Sequence, residues 1–143
     1  MKTIIFFLLF FASWNINNDF GQIHKSIDGN FIEVEKSDFD GLWINVNEER
    51  PGITKCKISY ENNSFIVQMW GNCQPQDCDW GENITNEVKK GTNKFELIWD
   101  SGFAESSITY EIINGQLKMM QKRHFKDNSG RQDYEIVEYF VKQ

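Results

Sequence analysis

From Gly41 onward, apolar and polar side chains alternate, and turn-forming residues interrupt the alternation every ten or so positions. A period of two is the mark of a half-buried strand, because successive side chains leave a strand on opposite faces. The pattern predicts strands over Gly41–Asn47, Ile53–Glu61, Ser64–Gly71, Asn83–Lys90, Lys94–Asp100, Ser107–Ile113, Gln116–Phe125 and Gln132–Val141. No stretch keeps a helical period of useful length.

The breaks between these runs carry turn chemistry. Asn114-Gly115 sits between two alternating runs, and this dipeptide favours a type I′ hairpin, which needs positive φ at both central residues. Asp127–Gly130 suits a type I turn with its glycine in the left-handed region, and Glu61–Ser64 reads as a turn similar to that one but less marked. Short turns make sequence neighbours antiparallel neighbours. The expected fold is therefore all-β: one antiparallel up-and-down barrel of about eight strands, with about twelve or thirteen residues per strand and turn. A β-sandwich is the second choice, since it usually needs longer crossing connections.

Alternation assigns an inward face to Phe65, Val67 and Met69, to Phe95, Leu97 and Trp99, and to Ile108, Tyr110 and Ile112. Leu117, Met119, Tyr134, Ile136 and Phe140 continue it. The opposite face holds Ile66, Gln68, Trp70, Ile98, Val137 and Tyr139, more apolar than a fully solvated face requires.

Upstream of the barrel region (41–143) the chain changes character. Residues 22–40 are an irregular, polar lead-in, and Met1-Lys2-Thr3 precedes the apolar run Ile4–Ala12. A positive charge ahead of a short apolar run is the layout of a secretory signal peptide, and a membrane span takes about 20 apolar residues. Residues 1–21 are read as that signal, with Ala12-Ser13 and Gly21-Gln22 both offering a small residue for cleavage. The expected location is secreted or periplasmic, with no membrane attachment after signal removal.

The formal net charge of −6 opposes binding to nucleic acid or to an anionic membrane surface. Export permits disulfides. Of Cys56, Cys73 and Cys78, the last two are close together and separated by turn formers, so they are the natural pair. Cys56 lies in "ITKCKISY" as a small apolar strand residue.

The segment "WGNCQPQDCDWG", Trp70–Gly81, concentrates the unusual chemistry of the chain. A Cys73–Cys78 bridge and Pro75 would stiffen a polar tip between two Trp-Gly pairs. Stiff loops on a scaffold often carry function, so Trp70 and Trp80 are candidate stacking platforms; the competing reading is a stapled hairpin connection whose indoles cover the barrel end. Asp77 and Asp79 bracket Cys78, as weak candidates for a Ca²⁺ site. The chain lacks a twelve-residue calcium loop, and no histidine neighbours the cysteines to favour zinc. The Cys-x₄-Cys spacing and acidic surroundings oppose thiol redox catalysis. No metal or cofactor is expected. His124 reads as a solvated surface residue, and the chain has no nucleophile-elbow, zinc-protease or phosphate-loop motif.

"GLWIN", Gly41–Asn45, is similar to the opening of avidin-type barrels, and its G-x-W portion is similar to the start of lipocalins. That resemblance implies that Trp43 plugs one barrel end and that Asn45 contacts ligand at the mouth. The segment Trp70–Gly81, together with Ile53-Thr54 and with Ser129-Gly130-Arg131 ahead of Tyr134, resembles a group of secreted bacterial β domains over about residues 41–141. This implies a small extracellular β domain and no particular activity.

Trp43, Asn45, Trp70, Trp80 and Trp99 are the candidate ligand residues, since an indole offers apolar area and one hydrogen-bond donor to a sugar or flat ring. The expected function is a binding module for a small molecule or glycan at the barrel end near Trp70–Gly81. A protein-interaction module, such as an inhibitor of an extracellular enzyme, is the alternative. A carboxylate-dependent enzyme ranks below both, for want of a paired nucleophile and base.

Overall fold

This computed structural model describes residues 37–47 and 52–143; the expected signal peptide and most of the lead-in lie outside the described residues. Eight strands follow one another: β1 (Gly41–Asn45), β2 (Ile53–Glu61), β3 (Ser64–Gly71), β4 (Cys78–Ile84), β5 (Lys94–Asp100), β6 (Ala104–Ile113), β7 (Gln116–Phe125) and β8 (Tyr134–Lys142). They form a single sheet in the order β4-β3-β2-β1-β8-β7-β6-β5. All its pairings are antiparallel, and β1 pairs with β8 through Trp43↔Lys142, Ile44↔Val141 and Asn45↔Phe140. Pairing of the first strand with the last rolls a meander into a barrel, so the all-β up-and-down barrel is the fold and the sandwich is not.

Closure is nearly complete. No ladder joins β4 to β5; at this seam the Asn83 side-chain amide donates to the Ile98 carbonyl (2.8 Å).

Four strands end where the alternation placed them, because their hairpin turns are locally determined. Asn114 (φ 52°) and Gly115 (φ 76°) take the expected type I′ signs; Asn62 (φ 50°) and Asn63 (φ 61°) take the same signs between β2 and β3, where a type I turn was expected, because asparagine tolerates positive φ. The turn after β7 departs from expectation. Gly130 is left-handed (φ 75°), but so is Asn128 (φ 53°), which a type I turn does not allow. Asn tolerates that region, and the Asp127 carboxylate stabilises the turn by accepting from the Ser129 amide (3.2 Å).

The fourth strand also departs from expectation. It starts at Cys78, inside the cysteine segment, and ends at Ile84, whereas Asn83–Lys90 was expected. β4 has little alternation of its own. Its register comes from pairing with β3 and from the covalent link at its first residue.

The inward face is the expected one over β3, β5, β6 and β7, where Phe65, Val67, Met69, Leu97, Ile108, Tyr110, Leu117 and Met119 are all buried. Tyr134 and Ile136 are less enclosed, Tyr134 being 46% exposed at the barrel rim. Ile98, Val137 and Tyr139 face outward as expected.

The barrel end that carries the β2–β3 and β6–β7 hairpins is filled by aromatic rings. Phe65 stacks on Phe95 (centroids 4.3 Å) and Phe95 on Tyr110 (4.7 Å). The ring of Phe39 meets Phe65 and Phe95 edge-on, each at 4.9 Å. Phe39 is fully buried although it precedes β1, so the last residues of the lead-in belong to the core. The Trp43 indole N–H donates to the Phe39 carbonyl (2.7 Å), and the Lys142 ammonium lies 4.8 Å from the Trp43 ring centre. Cys56 is buried in the same core and unpaired, and burial pushes its thiol pKa far up.

Phe39→Ala is expected to cost about 3–5 kcal/mol, measured by urea denaturation. A loss below about 1 kcal/mol would show that the lead-in does not contribute to the barrel.

Candidate functional site

The opposite end of the barrel is open. It is bounded by the β3–β4, β5–β6 and β7–β8 connections and contains a cleft of about 640 Å³. A volume of roughly 300–1,000 Å³ is usual for small-molecule sites.

One cross-strand row builds the inner wall. Trp99 on β5 pairs with Ser106 on β6, Ser106 with Arg123 on β7, and Arg123 with Tyr134 on β8. Residues opposite one another in a sheet point to the same face, so these four side chains form a belt around the mouth. Gln121 lies one inward position deeper on β7. Ser106 and Gln121 are almost fully buried. The Ser106 hydroxyl oxygen accepts from the Gln121 amide (3.0 Å) and from Arg123 Nη1 (3.1 Å).

The facing wall comes from the cysteine segment. Met69 pairs with Gly81 and Trp70 with Asp79, leaving Trp80 as the extra residue of a β-bulge. A bulge bends its strand and re-aims a side chain, and Gly81 takes the positive φ (82°) at this corner. The Trp80 indole thus lies over Gly71, where a Cβ would sit only 2.6 Å from Trp80 Nε1. Gly71 is a glycine because the indole occupies the place of its side chain. Cys73 and Cys78 form a disulfide with Cα atoms 5.5 Å apart, tying the start of the β3–β4 connection to the first residue of β4. Both cysteines line the cleft.

Trp99 is buried, and its indole donates to the Tyr110 hydroxyl (3.0 Å), which in turn contacts the Met69 sulfur (3.2 Å). This chain links the cleft wall to the aromatic core below. Burial, reinforced by the neighbouring Cys56, holds the Tyr110 pKa well above its ordinary value, so the phenol stays protonated.

The rim combines arginines with aromatic rings. Arg123 lies 5.4 Å from the ring centre of Phe103, 5.6 Å from Phe125 and 6.0 Å from Trp80. Arg131 stacks on Phe125 (4.2 Å) and Phe103 (5.0 Å), and its guanidinium pairs with Asp127 and Ser129. Lys126 pairs with Asp100 (2.7 Å). Arg123 has no carboxylate partner among the described residues.

The other residues singled out from the sequence lie elsewhere. Trp43 is inside the filled end. Asn45 is buried beneath the mouth, with its amide donating to the Ile53 carbonyl (2.7 Å) and to Glu138 (2.9 Å) and its oxygen accepting from the Asn47 amide (2.9 Å). With those bonds made, it does not line the cleft. Trp70 faces outward under Lys55, whose ammonium is 5.2 Å from its ring centre. Asp77 accepts from the Thr54 hydroxyl (2.8 Å), and Asp79 from the Gly81 amide (2.8 Å) and Gln68 (3.1 Å). The two aspartates are engaged separately, and among the described residues no three acidic, histidine or cysteine side chains come together to hold a metal ion. His124 is exposed on the outer face and contacts Asp133 (2.7 Å).

Ser106, Gln121, Arg123, Phe103, Phe125 and Arg131 were not among the ligand residues expected from the sequence. Ser106, Gln121 and Arg123 were detectable in principle: they are polar residues at inward parity on strands whose other inward residues are apolar.

The chain matches no protein-family model, no curated protein and no solved structure.

Three carboxylates pin the rim: Asp100 to Lys126 and the Gly102 amide, Asp127 to Ser129 and Arg131, and Asp133 to His124 and the Phe125 amide. In each, side-chain hydrogen bonding is the leading cause that holds the pKa below the usual carboxylate range. A depressed folded-state pKa contributes stability above the unfolded value, and the contribution is lost as pH falls through the folded one. Below about pH 4 amide exchange in residues 126–133 is therefore expected to rise before exchange in β6 and β7. Simultaneous loosening of rim and strands would contradict this assignment.

Proposed function

We propose that this chain is an extracellular binding module that holds a small molecule or glycan at the open end of its barrel. The observation that carries this reading is the cleft itself: a concave space walled by Trp80, Trp99, Phe103, Phe125 and Tyr134, with Ser106, Gln121 and Arg123 converging at its base. Apolar walls with a few convergent polar groups are the usual design of a ligand site. The aromatic filling of the other end supports placing the ligand here and not along the whole barrel axis. The Cys73–Cys78 bridge supports an oxidising, extracellular setting, in keeping with the signal-like N-terminus.

A second reading has its own observation. Gln74, Pro75 and Gln76 are exposed at the tip of the stapled connection, and Asp77 braces it against Thr54 and Lys55 (2.8 and 3.6 Å). A preorganised tip of this kind suits the cleft of an extracellular protein partner, since little ordering entropy is lost on docking.

A thermal-shift panel of metabolites and a glycan array test the first reading. A ligand at one hundred times its Kd adds about 2.7 kcal/mol, which raises Tm by several degrees. That shift should disappear in Phe103→Ala, a change at a rim residue that is 43% exposed. A silent panel and a blank array, with a secreted protein captured through residues 74–76, would replace it with the second reading.

A further inference from the structure

The donors at the base of the cleft define a ligand class, an inference that rests on the open end being the binding site. Arg123 carries a full charge, and a guanidinium has five N–H donors in a planar fork and no acceptor. Its Nη1 donates to Ser106, and its remaining N–H groups reach no acceptor among the described residues. Phe103, Phe125 and Trp80 surround its guanidinium carbon at 5.4–6.0 Å, within reach of a cation–π attraction that uses none of its hydrogen-bonding capacity.

Ser106 adds to this. Its oxygen already accepts two hydrogen bonds, from Gln121 and Arg123. A hydroxyl has two acceptor positions and one donor, so what Ser106 still has to offer is its proton. The base of the cleft thus offers the Arg123 fork and the Ser106 proton as donors, beside the Gln121 amide oxygen, which can only accept.

The neighbouring acidic groups are already engaged. Asp100 is bonded to Lys126 and Asp127 to Arg131, and Asp79 turns to Gln68 and its own strand backbone. In a protein of net charge −6, the mouth therefore holds a cation, held by its bond to Ser106, that no described carboxylate neutralises. An Arg fork in partly desolvated surroundings matches a carboxylate in a two-pronged, charge-assisted geometry.

We infer that the cleft takes a small molecule in which a flat or sugar ring bears a carboxylate: the carboxylate on Arg123 and Ser106, the ring between Trp80 and the Trp99 wall. Arg123 acts as the anion anchor, and the indoles supply the ring contact.

The test uses matched pairs in which a carboxylate is replaced by a neutral polar group on the same scaffold. Naphthalene-2-carboxylate is compared with naphthalene-2-carboxamide, and 4-nitrophenyl glucuronide with 4-nitrophenyl glucoside. Binding is read at millimolar concentration from the indole N–H signals of Trp80 and Trp99 in ¹H–¹⁵N spectra. The acid of at least one pair should bind about tenfold more tightly than its neutral partner, as expected for gaining a charged hydrogen bond. Which pair responds separates aromatic acids from uronic acids. Arg123→Gln should bring the acid down to its neutral partner, and Arg123→Lys should restore part of the difference.

Equal binding of acid and neutral partner overturns the carboxylate inference and leaves the open-end site standing. An acid preference that survives in Arg123→Gln overturns the role of Arg123. If no compound moves either indole signal, the carboxylate inference falls, while the open-end site is decided by the metabolite panel and glycan array.

Discussion

The packing of the Trp80 indole into the space over Gly71 is the contact on which the mouth of this barrel depends. It requires a residue without a side chain on β3, a bulge on β4 to turn the indole inward, and a β4 start held close to the end of β3. Gly71, the Trp80 bulge with Gly81, and the Cys73–Cys78 bridge supply these in turn. β4 needs such help because it lacks a ladder to β5 on its other side. A strand paired along one edge holds its position less firmly, and the disulfide and the buried indole compensate where the sheet does not.

The two barrel ends divide their work along the chain. At one end Phe39, Phe65, Phe95 and Tyr110 fill the interior ring on ring, and Trp43 closes it. At the other, the inward row changes from aliphatic to Trp99, Ser106, Arg123 and Tyr134, and the interior opens. Tyr110 and Trp99 are hydrogen-bonded across the boundary, so the cleft wall stands on the packed core and not on loops alone. Polar groups in such a position are retained at a cost in core burial, which is why their convergence carries the functional reading.

The fold was legible where local chemistry decides it. Asn114-Gly115 and Asn62-Asn63 set their hairpins because asparagine and glycine accept positive φ, and the strands on either side then follow in register. β4 was misplaced because Cys78–Ile84 has no alternation to read; it is strand by virtue of its neighbour and its disulfide. Phe39 was assigned to the lead-in because a single buried ring outside a strand leaves no period. For the candidate site, the cysteine segment pointed to the barrel end that is open, but it does not separate Trp70 from Trp80. The bulge reverses the side to which the second indole points, and a bulge is not visible in a strand count. The inward polar residues were hidden differently, since an interruption of the apolar pattern reads as noise until the opposite wall is known.

Gly71→Ala tests the central claim most directly. Gly71 does not occupy the positive-φ region, so alanine suits its backbone and the substitution tests the space alone. The Trp80 indole N–H signal is predicted to move, with Trp99 and Arg123 responding, while the Trp43 indole on the Phe39 carbonyl at the far end keeps its position. Stability should fall by about 1–3 kcal/mol, as overpacking usually costs. A Trp80 signal unchanged by the added methyl group would contradict the account, because the indole would not then occupy the place that Gly71 leaves for it.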